Sequence, residues 1–456
     1  MTVEQTTDTT NVVAELRRVF DTGRTRGLAW RRSQLESIER MCVECEPEIV
    51  AALGKDLGRD PAQSFLADIA PTKAEATYAR KRIKRWARRV RVPMPLSLRP
   101  GRAWVDPQPL GVVLVIGPWN YPFYLTMAPI VAAVSAGNAA VIKPSEFAPA
   151  TSALLAAIVP KYLDAEAVRV VEGDAITTGQ LLSQGFDHAL FTGGTAVGSK
   201  VMAAAADTLT PVTLELGGKS PAIVAADADL DVTARRLANA KLLNAGQTCI
   251  APDYVLADAA IAAELASKIV MYMAEFRTSE KLQVVNARQF DRLVSMLSAT
   301  TGSVLGGGSD RGGLAIEPTV IIDPSPSEPI MSEEIFGPIL PILTIGSLDD
   351  AVAFVNSRPK PLALYVFTNS VSSGRDVIDR TTSGGAVINH AMVHCAVPQL
   401  PFGGVGASGM GAYHGKWGFD TLSHRRAVVF KPVKPDLRLG YPPYSERTLR
   451  IMKRLI

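Results

Sequence analysis

Three residues in the sequence are of the types that attack and release a carbonyl carbon. Cys249 ends the small turn NAGQTC, whose backbone N–H groups can face a developing negative charge and favour a thiolate nucleophile. Glu215 lies between two leucines in LELGGKSP, and an apolar setting raises the pKa of a carboxyl group toward that of a general base. Asn120, between two prolines in GPWNYP, offers an amide N–H to an oxyanion. Together they predict acyl-transfer chemistry on a cysteine.

Each of these residues also has an ordinary structural explanation when it is taken alone. Unreactive buried cysteines are common in folded proteins. A glutamate at a strand end is more often paired or exposed than catalytic, and a turn asparagine often satisfies nearby backbone groups. The prediction therefore depends on the three residues occurring together.

A second set of residues is suited to phosphate and ribose. The loop FTGGTAVG, residues 191–198, follows a strand pattern and opens a helix, so its N–H groups and the helix N-terminus can face a pyrophosphate. It matches neither G-x-G-x-x-G nor the P-loop, and tight chain packing is the alternative. Lys143 and Glu146 in KPSE close another predicted strand, where ribose hydroxyls meet a parallel sheet; an exposed turn is the competing interpretation.

Other catalytic patterns are weak or missing in the sequence. His390 and His394 are four residues apart, but HAMVH lacks the glutamate of H-E-x-x-H, so a zinc hydrolase is disfavoured and no metal site is predicted. No G-x-S-x-G motif supports a Ser-His-Asp hydrolase. Cys42 and Cys45 form a C-x-x-C in a helix-like stretch, where packing is favoured over redox or zinc chemistry and the role of the pair stays open.

The elements that must position these residues alternate in type along the chain. From residue 111 onward, strand patterns such as GVVLVIG and AAVIKP alternate with helical patterns such as PIVAAVSAG, which predicts βαβ units and a parallel sheet. We expect an α/β protein with a doubly wound, nucleotide-binding parallel-sheet domain. That domain is assigned residues 1–90 and 110–217, a second α/β catalytic domain residues 218–424, and a C-terminal tail residues 434–456.

Two stretches belong to neither α/β pattern. Residues 91–109 and 425–433 show short strand-like alternation flanked by prolines and basic residues, as arms or edge strands that need a partner do. We expect them to form a small β arm used in oligomerisation.

Size and composition limit the classes of protein that remain. A chain of 456 residues exceeds the usual size of one hydrophobic core, and 47% hydrophobic with 20% charged residues fits a globular protein. A net charge of +4 is too small to make nucleic acid the main partner. The basic run over 80–91 is expected on an exposed helix face, with an anion- or membrane-facing patch as the alternative.

The sequence also bears on location. Residues 107–142 carry no charged side chain, but their prolines and glycines break any spanning helix, so we expect buried core and an active-site loop. Four cysteines do not make a disulfide framework, and no signal-peptide pattern opens the chain. A cytoplasmic location follows as the expectation.

Seven ordered motifs resemble those of the aldehyde dehydrogenase superfamily across nearly the whole chain: GPWNYPF, KPSE, FTGGTAVG, LELGGKSP, NAGQTC, EEIFGP and LPFGGVGASGMG. The details NAGQTCIAPDY, PLALYVFT and SGMGAYHGKWGFDTLSHRR look most like the class 3 enzymes. That resemblance implies NAD(P)-dependent oxidation of medium- or long-chain aliphatic or aromatic aldehydes. It assigns the nucleophile to Cys249, the general base to Glu215 and the oxyanion donor to Asn120.

The resemblance also implies NAD or NADP as cofactor. Lys143 and Glu146 match residues that contact the adenosine ribose, and Glu334 and Phe336 match those that hold the nicotinamide ribose and ring. The remaining cofactor contacts are assigned to Trp119, Gly193, Gly194, Thr195 and Gly198. Many relatives carry Ser or Asn at the position of Gly194, so the preference between NAD and NADP stays open.

Two functional alternatives remain at this point. A CoA-acylating relative passes the acyl group to CoA and does not need the base Glu215, and a catalytically inactive relative keeps only the fold. The resemblance further implies a homodimer joined through the β arm. Some class 3 relatives end in a hydrophobic anchor, whereas this chain ends in SERTLRIMKRLI, which at most lies on a membrane surface. Its apolar residues Ile451, Met452, Leu455 and Ile456 alternate with Arg450, Lys453 and Arg454.

Overall fold

The computed structural model describes residues 11–277, 283–436 and 441–455. Residues 454 and 455 are described by their backbone alone. The domains assigned from sequence also include residues 1–10, 278–282, 437–440 and 456, which lie outside the described residues. The helices are α1 Val12–Asp21, α2 Leu28–Glu44, α3 Glu46–Leu57, α4 Pro61–Ser64, α5 Ala70–Trp86, α6 Tyr124–Ala136, α7 Pro149–Tyr162, α8 Ala175–Leu182, α9 Thr195–Ala206, α10 Leu230–Leu242, α11 Ala262–Phe276, α12 Ala287–Ala299, α13 Pro329–Ser332, α14 Leu348–Asn356, α15 Val371–Asp379, α16 Gly415–Thr421 and α17 Glu446–Leu455. The strands are β1 Val90–Val92, β2 Arg102–Pro109, β3 Val112–Ile116, β4 Ala139–Lys143, β5 Val168–Val170, β6 His188–Gly193, β7 Val212–Leu216, β8 Pro221–Val224, β9 Tyr254–Asp258, β10 Ser303–Leu305, β11 Ser309–Asp310, β12 Ala315–Ile316, β13 Thr319–Ile322, β14 Ile339–Ile345, β15 Ala363–Phe367, β16 Gly385–Ile388, β17 Gly409–Met410 and β18 Ser423–Phe430.

The first sheet is doubly wound, as the sequence predicts. Its order is β17-β7-β6-β3-β4-β5, and β3 to β7 all run parallel. In β3, Val113 and Val115 pack into a cluster with α2, α5 and α6, whereas Val112, Leu114 and Ile116 pack with α1, α8 and α9. A strand that is buried on both faces explains the uninterrupted apolar run. The order of the strands along the chain reverses between β3 and β6. In doubly wound sheets, ligands bind beyond the carboxyl ends of the strands at such a point.

The second sheet is also mainly parallel, with helices packed on both of its faces. Its order is β10-β13-β14-β9-β8-β15-β16, and only β10 runs antiparallel to its neighbour. Along β9, Val255 and Ala257 face α10 and α11, while Tyr254 and Leu256 face the cluster that contains α12 to α15. β9 begins shortly after the predicted nucleophile, so this sheet anchors the turn that carries Cys249.

The third sheet is the predicted arm. β2 pairs with β1 on one side and with the whole length of β18 on the other, from Pro109 opposite Ser423 to Arg102 opposite Phe430. Several of its side chains are exposed and apolar, among them Val90 and Val429. Strands β11 and β12 form a separate hairpin.

One part of the sequence-based division differs from the structure. β17 pairs with β7 of the first sheet, and α16 packs against α5 and α6 of the first unit. Within the segment 218–424 that the sequence analysis assigned to the catalytic domain, β17 therefore forms the edge of the first sheet and α16 packs against the helices of the first unit. Their glycine-rich motif gives no periodicity from which this pairing could be read.

Two expectations about surfaces are met. Within the uncharged stretch 107–142, residues 111–142 form β3, α6 and β4 and are almost entirely buried, whereas residues 107–110 are half-buried. The basic run over 80–91 lies mostly on the exposed face of α5 and the segment after it. In the part of the chain that the structure describes, every helix is too short or too polar to cross a bilayer.

Candidate active site

The turn that leads to Cys249 has an unusual backbone. Asn244 and Ala245 both lie in the left-handed region, with φ of +54° and +55°, and Gly246 follows at +74°. A Cβ on Gly246 would lie 2.2 Å from the carbonyl oxygen of Gly337, so only glycine fits there. Left-handed non-glycine residues persist where their surroundings fix them, and such strain is concentrated at functional sites.

Side chains of the turn itself hold this conformation. The Asn244 amide donates to the carbonyl oxygens of Asn120 (2.9 Å) and Gln247 (3.1 Å). The Gln247 amide donates to the carbonyl oxygens of Asn244 and Gln283, both at 3.0 Å, and its oxygen accepts from the Val285 N–H at 3.0 Å. The turn is thereby tied to its neighbours on three sides.

The structure places Cys249 against Glu215. The Sγ atom is 3.6 Å from Oε1 of Glu215, which lies on β7 and is buried. The other carboxylate oxygen, Oε2, accepts from the hydroxyls of Thr192 (3.0 Å) and Tyr413 (3.1 Å). Oε1 is therefore the oxygen that faces the sulfur.

The protonation of this pair differs from the sequence expectation. Desolvation and the nearby Glu215 carboxylate raise the pKa of the Cys249 thiol well above its ordinary value, so the turn does not by itself produce a thiolate. Burial also raises the pKa of Glu215, against hydrogen bonds from Thr192 and Tyr413 that lower it. Two such groups in contact hold one proton between them more easily than none. The contact places Glu215 where it can accept the thiol proton.

Asn120 is brought to the same turn. It follows β3 and is buried, and its side-chain Nδ2 donates to the carbonyl oxygen of Gln247 at 3.1 Å. The next residue, Tyr121, shares a 2.6 Å hydrogen bond with Thr248. An amide carries two N–H groups, so one remains to reach an oxyanion beside Cys249.

The predicted phosphate and ribose residues lie together at the carboxyl edge of the first sheet. Lys143 ends β4, and its Nζ is 2.8 Å from Glu146. Gly194 caps α9 without a side-chain hydrogen bond, and a Cβ placed on it would meet nothing within 4 Å. By contrast, a Cβ on Gly198 would lie 2.4 Å from Leu216, so this glycine brings helix and strand close together. A helix N-terminus without a side-chain cap is suited to a pyrophosphate.

The residues assigned to the nicotinamide end also converge. Trp119 and Phe336 pack edge to face with ring centroids 5.2 Å apart. Burial and the Asp253 carboxylate raise the pKa of Glu334 to about 8, while the N–H of Gly218 and the cations of Lys219 and Arg292 oppose the shift. The donors and acceptors of this edge, from Lys143 to Glu334, fit a dinucleotide: a ribose acceptor at each end and uncapped N–H groups between them.

Sequence reasoning missed several residues of the site. Thr192 and Tyr413 bind the carboxylate of Glu215, although both stand inside motifs that were recognised. Arg59, in the loop after α3, and Asp68, in the helical segment before α5, contact the Asn120 loop and belong to no recognised motif. The glycine-rich motifs were a usable signal for two of these residues, because Thr192 lies within FTGG and Tyr413 closely follows SGMG. No local signal existed for Arg59 and Asp68.

The remaining candidates serve packing in this structure. His394 stacks on Phe402 at 5.8 Å between ring centroids. Cys42 and Cys45 are buried free thiols, and Cys45 Sγ is 3.5 Å from the hydroxyl of Tyr162. Among the described residues, no cluster of three or more His, Cys, Asp or Glu side chains is arranged to hold a metal ion.

Comparison with known proteins places the whole chain beside one family. A model of the aldehyde dehydrogenase family matches residues 1–428. The chain is 45% identical over 459 residues to aldehyde dehydrogenase family 3 member H1 of Arabidopsis thaliana, covering 98% of this chain and 95% of that protein. It is 44% identical over 442 residues to the dimeric NADP-preferring aldehyde dehydrogenase of Rattus norvegicus, covering 95% of this chain and 97% of that protein. The substrate-bound structure of AldH from Staphylococcus aureus has a TM-score of 0.94 at 38% identity, covering 98% of this chain and 99% of that chain.

Proposed function

This chain belongs to the aldehyde dehydrogenase family and oxidises aldehydes with NAD or NADP, and we propose that it does so through a thioester on Cys249. The observation that carries the proposal is the 3.6 Å contact between Cys249 Sγ and Glu215 Oε1. In addition, the side-chain amide of Asn120 donates to the carbonyl oxygen of Gln247, which precedes Cys249 by two residues. Nucleophile, base and oxyanion donor then surround one point.

In the first step Glu215 takes the thiol proton and Cys249 attacks the aldehyde carbon. Because the pKa values of both groups are raised, the proton moves between partners in contact rather than into water. The new carbon–sulfur bond places negative charge on the former carbonyl oxygen. The free N–H of Asn120 and the backbone N–H of Cys249 stabilise that charge.

In the second step the carbon–oxygen double bond re-forms as hydride leaves the carbon. Bound NAD(P)⁺ supplies the acceptor for that hydride. The product on Sγ is a thioester, and Glu215, once it has released its proton, deprotonates the water that attacks it. The carbon–sulfur bond breaks, the carboxylic acid leaves and the thiol recovers a proton, so one aldehyde, one water and one oxidised cofactor give one acid, one reduced cofactor and one released proton.

The cofactor is proposed to lie across the carboxyl edge of the first sheet. Lys143 and Glu146 are suited to the adenosine ribose, and the N-terminus of α9, from Gly193 to Gly198, is suited to the pyrophosphate. Glu334 with Phe336 and Trp119 would hold the nicotinamide ribose and ring. Support comes from the convergence of these groups at one sheet edge.

The proposed substrates are medium- or long-chain aliphatic or aromatic aldehydes. Cys249 packs against a buried cluster that includes the aromatic side chains of Phe402, Tyr413 and Tyr365. Apolar walls next to the nucleophile favour an apolar aldehyde, because a charged or strongly polar one would lose hydration there.

The test is NAD(P)H formation from a panel of aliphatic and aromatic aldehydes, with NAD and with NADP, in the presence and absence of CoA. Formation without CoA supports hydrolysis, whereas an absolute need for CoA supports the acylating alternative. Folded protein that binds cofactor and turns over no aldehyde would instead support a binding protein. The Cys249→Ala variant is the control, and residual dehydrogenation by it would exclude the thioester.

A second variant identifies the role of Glu215. In Glu215→Gln, hydrolysis should slow more than thioester formation, so protein quenched during turnover should carry the acyl group on Cys249. Mass spectrometry of the quenched peptide measures this adduct, which Cys249→Ala cannot form. An inactive Glu215→Gln without the adduct would limit Glu215 to the first step.

We also propose a homodimer in the cytoplasm. Exposed apolar side chains on the arm, such as Val90, Val429 and Phe430, support a partner that covers them. In the tail, Leu449 and Ile451 on α17 are exposed, which is compatible with a weak peripheral membrane contact. Ile456 lies outside the described residues. Light scattering after gel filtration tests the homodimer. Flotation with lipid vesicles tests the membrane contact.

A further inference from the structure

A buried ion pair lies beside the site on elements that carry no catalytic motif. Arg59 lies in the loop between α3 and α4, and Asp68 lies in the π-helical turn between α4 and α5. The side chain of Arg59 is 2% exposed and that of Asp68 is 0% exposed, and the two are joined by a salt bridge. A π turn within a helix is frequently found at functional sites.

The guanidinium of Arg59 contacts both catalytic loops. One nitrogen donates to the carbonyl oxygen of Asn120, and Nε donates to Oδ1 of Asn244 at 2.9 Å. The cation also lies over the ring of Tyr121, with Cζ 4.4 Å from its centroid. One rigid, planar group thus joins the oxyanion loop to the left-handed turn of the nucleophile.

Asp68 fixes the other end of the same loop. While one oxygen binds Arg59, Oδ1 accepts the backbone N–H groups of Phe123 (3.1 Å) and Tyr124 (2.8 Å), where α6 begins. A carboxylate at a helix N-terminus is favourable. The loop that carries Asn120 is therefore held at its carbonyl by Arg59 and at the following amides by Asp68.

We infer that Arg59 and Asp68 form a positioning pair that holds the Asn120 amide and the Cys249 turn in register for the reaction. This inference rests on the proposed roles of Cys249 and Asn120. The pair touches neither sulfur nor substrate; it acts through Asn120, Asn244 and Tyr121. A displacement of about 1 Å in such a site costs about a hundredfold in rate, so the effect is measurable.

Suitable variants separate an effect on the position of the catalytic loops from an effect on the stability of the fold. Replacing a buried ion pair by uncharged side chains is often neutral for stability, whereas removing one partner leaves an unpaired buried charge. The double variant Arg59→Met with Asp68→Asn removes both charges and keeps the volume. Arg59→Lys keeps the charge pair and loses the planar fork.

The matched control is Asp56→Asn. Asp56 is a buried carboxylate on α3 that accepts the N–H groups of Ala150 (2.9 Å) and Thr151 (2.8 Å) at the start of α7. It does for α7 what Asp68 does for α6, but it touches no residue of the catalytic loops. Asp56→Asn therefore reports the loss of a buried carboxylate at a helix start alone.

Kinetics on the most active aldehyde are one readout. We expect kcat of the double variant to fall by about tenfold to a hundredfold with KM nearly unchanged, because oxyanion stabilisation acts in the transition state. Arg59→Lys should recover part of that loss, and Asp56→Asn should keep kcat within about twofold of the wild type. A double variant with native Tm and kcat within about twofold of the wild type would overturn the inference.

Alkylation of Cys249 by iodoacetamide is the second readout, and it needs no dehydrogenase activity. Release of the turn should expose the sulfur, so alkylation in the double variant and in Arg59→Lys should be at least about fivefold faster than in Asp56→Asn. Equal alkylation rates in folded proteins would overturn the inference. If no aldehyde were oxidised, the proposed function would fail, but the alkylation rates would still test the positioning pair. If the double variant does not fold, Arg59→Lys decides by both readouts.

Discussion

Tyr413 donates a 3.1 Å hydrogen bond to Oε2 of Glu215, and so joins two residues that are 198 positions apart in the sequence. The same oxygen also accepts from Thr192 at 3.0 Å. With both donors on Oε2, Oε1 is left to face Cys249. The orientation of the Glu215 carboxylate is thus set by residues on β6 and in the loop after β17.

Removing the Tyr413 hydroxyl should shift the pH dependence of turnover. That hydrogen bond lowers the pKa of Glu215, so Tyr413→Phe raises it further, and the base stays protonated to higher pH. The acidic limb of the kcat profile should move upward, and kcat near neutral pH should fall by about three- to tenfold. Tyr162→Phe, which removes the hydroxyl that donates to Glu44 on the surface, is the control. An unshifted limb in Tyr413→Phe would mean that its hydroxyl does not tune the base.

Loss of the Asn120 amide should reduce kcat without changing KM. Removing one oxyanion donor typically costs about a hundred- to a thousandfold in kcat, or ~2.7–4 kcal/mol. Asn120→Ala removes the donor, and Asn120→Asp replaces it by a negative charge of the same shape, which should be at least as harmful. Because the carbonyl of Asn120 still binds Arg59 and Asn244, Tm should stay near that of the wild type. Normal kcat in either variant would remove Asn120 from the mechanism.

Local sequence was sufficient for the parts of the site that depend on a single segment. GVVLVIG and FTGGTAVG identified β3, β6 and the start of α9, because a strand buried on both faces and a glycine-rich helix start have local signatures. The candidates Cys249, Glu215 and Asn120 were predicted from their occurrence together rather than from any one segment. Glu215 lies near the end of β7, Asn120 follows β3, and Cys249 follows the turn at 243–246.

Contacts between distant segments could not be read in the same way. The pairing of Tyr413 with Glu215 depends on β17 closing the first sheet, and that of Arg59 with Asn120 depends on where helices α3 and α4 pack. The raised pKa of the Cys249 thiol, which opposes the expected thiolate, also depends on the fold. Desolvation of Cys249 by its neighbours raises the thiol pKa, and burial is a property of the folded chain.

A methyl group on Gly217 should displace the Glu334 carboxylate. A Cβ there would lie 2.0 Å from Oε2 of Glu334, and because that atom ends a flexible side chain, the carboxylate moves while the fold remains. For Gly217→Ala we expect NAD(P)H to bind about tenfold more weakly, with little change in Tm. Gly179→Ala is the control, since its Cβ meets nothing within 4 Å and a helical alanine stabilises by about 0.5–1 kcal/mol. Unchanged binding in Gly217→Ala would separate Glu334 from the cofactor.

Cofactor affinity should rise as pH passes through the pKa of Glu334. Burial and Asp253 raise that pKa to about 8, so the side chain is a neutral acid at lower pH and a carboxylate at higher pH. A carboxylate accepts the hydrogen bonds of ribose hydroxyls more strongly than a neutral acid does. The Kd of NAD(P)H, measured by fluorescence titration, should therefore fall between about pH 7 and about pH 9. In Glu334→Gln, which cannot ionise, this decrease should disappear. If Glu334→Gln kept the same pH dependence, another group would be responsible and Glu334 would not be the ribose acceptor.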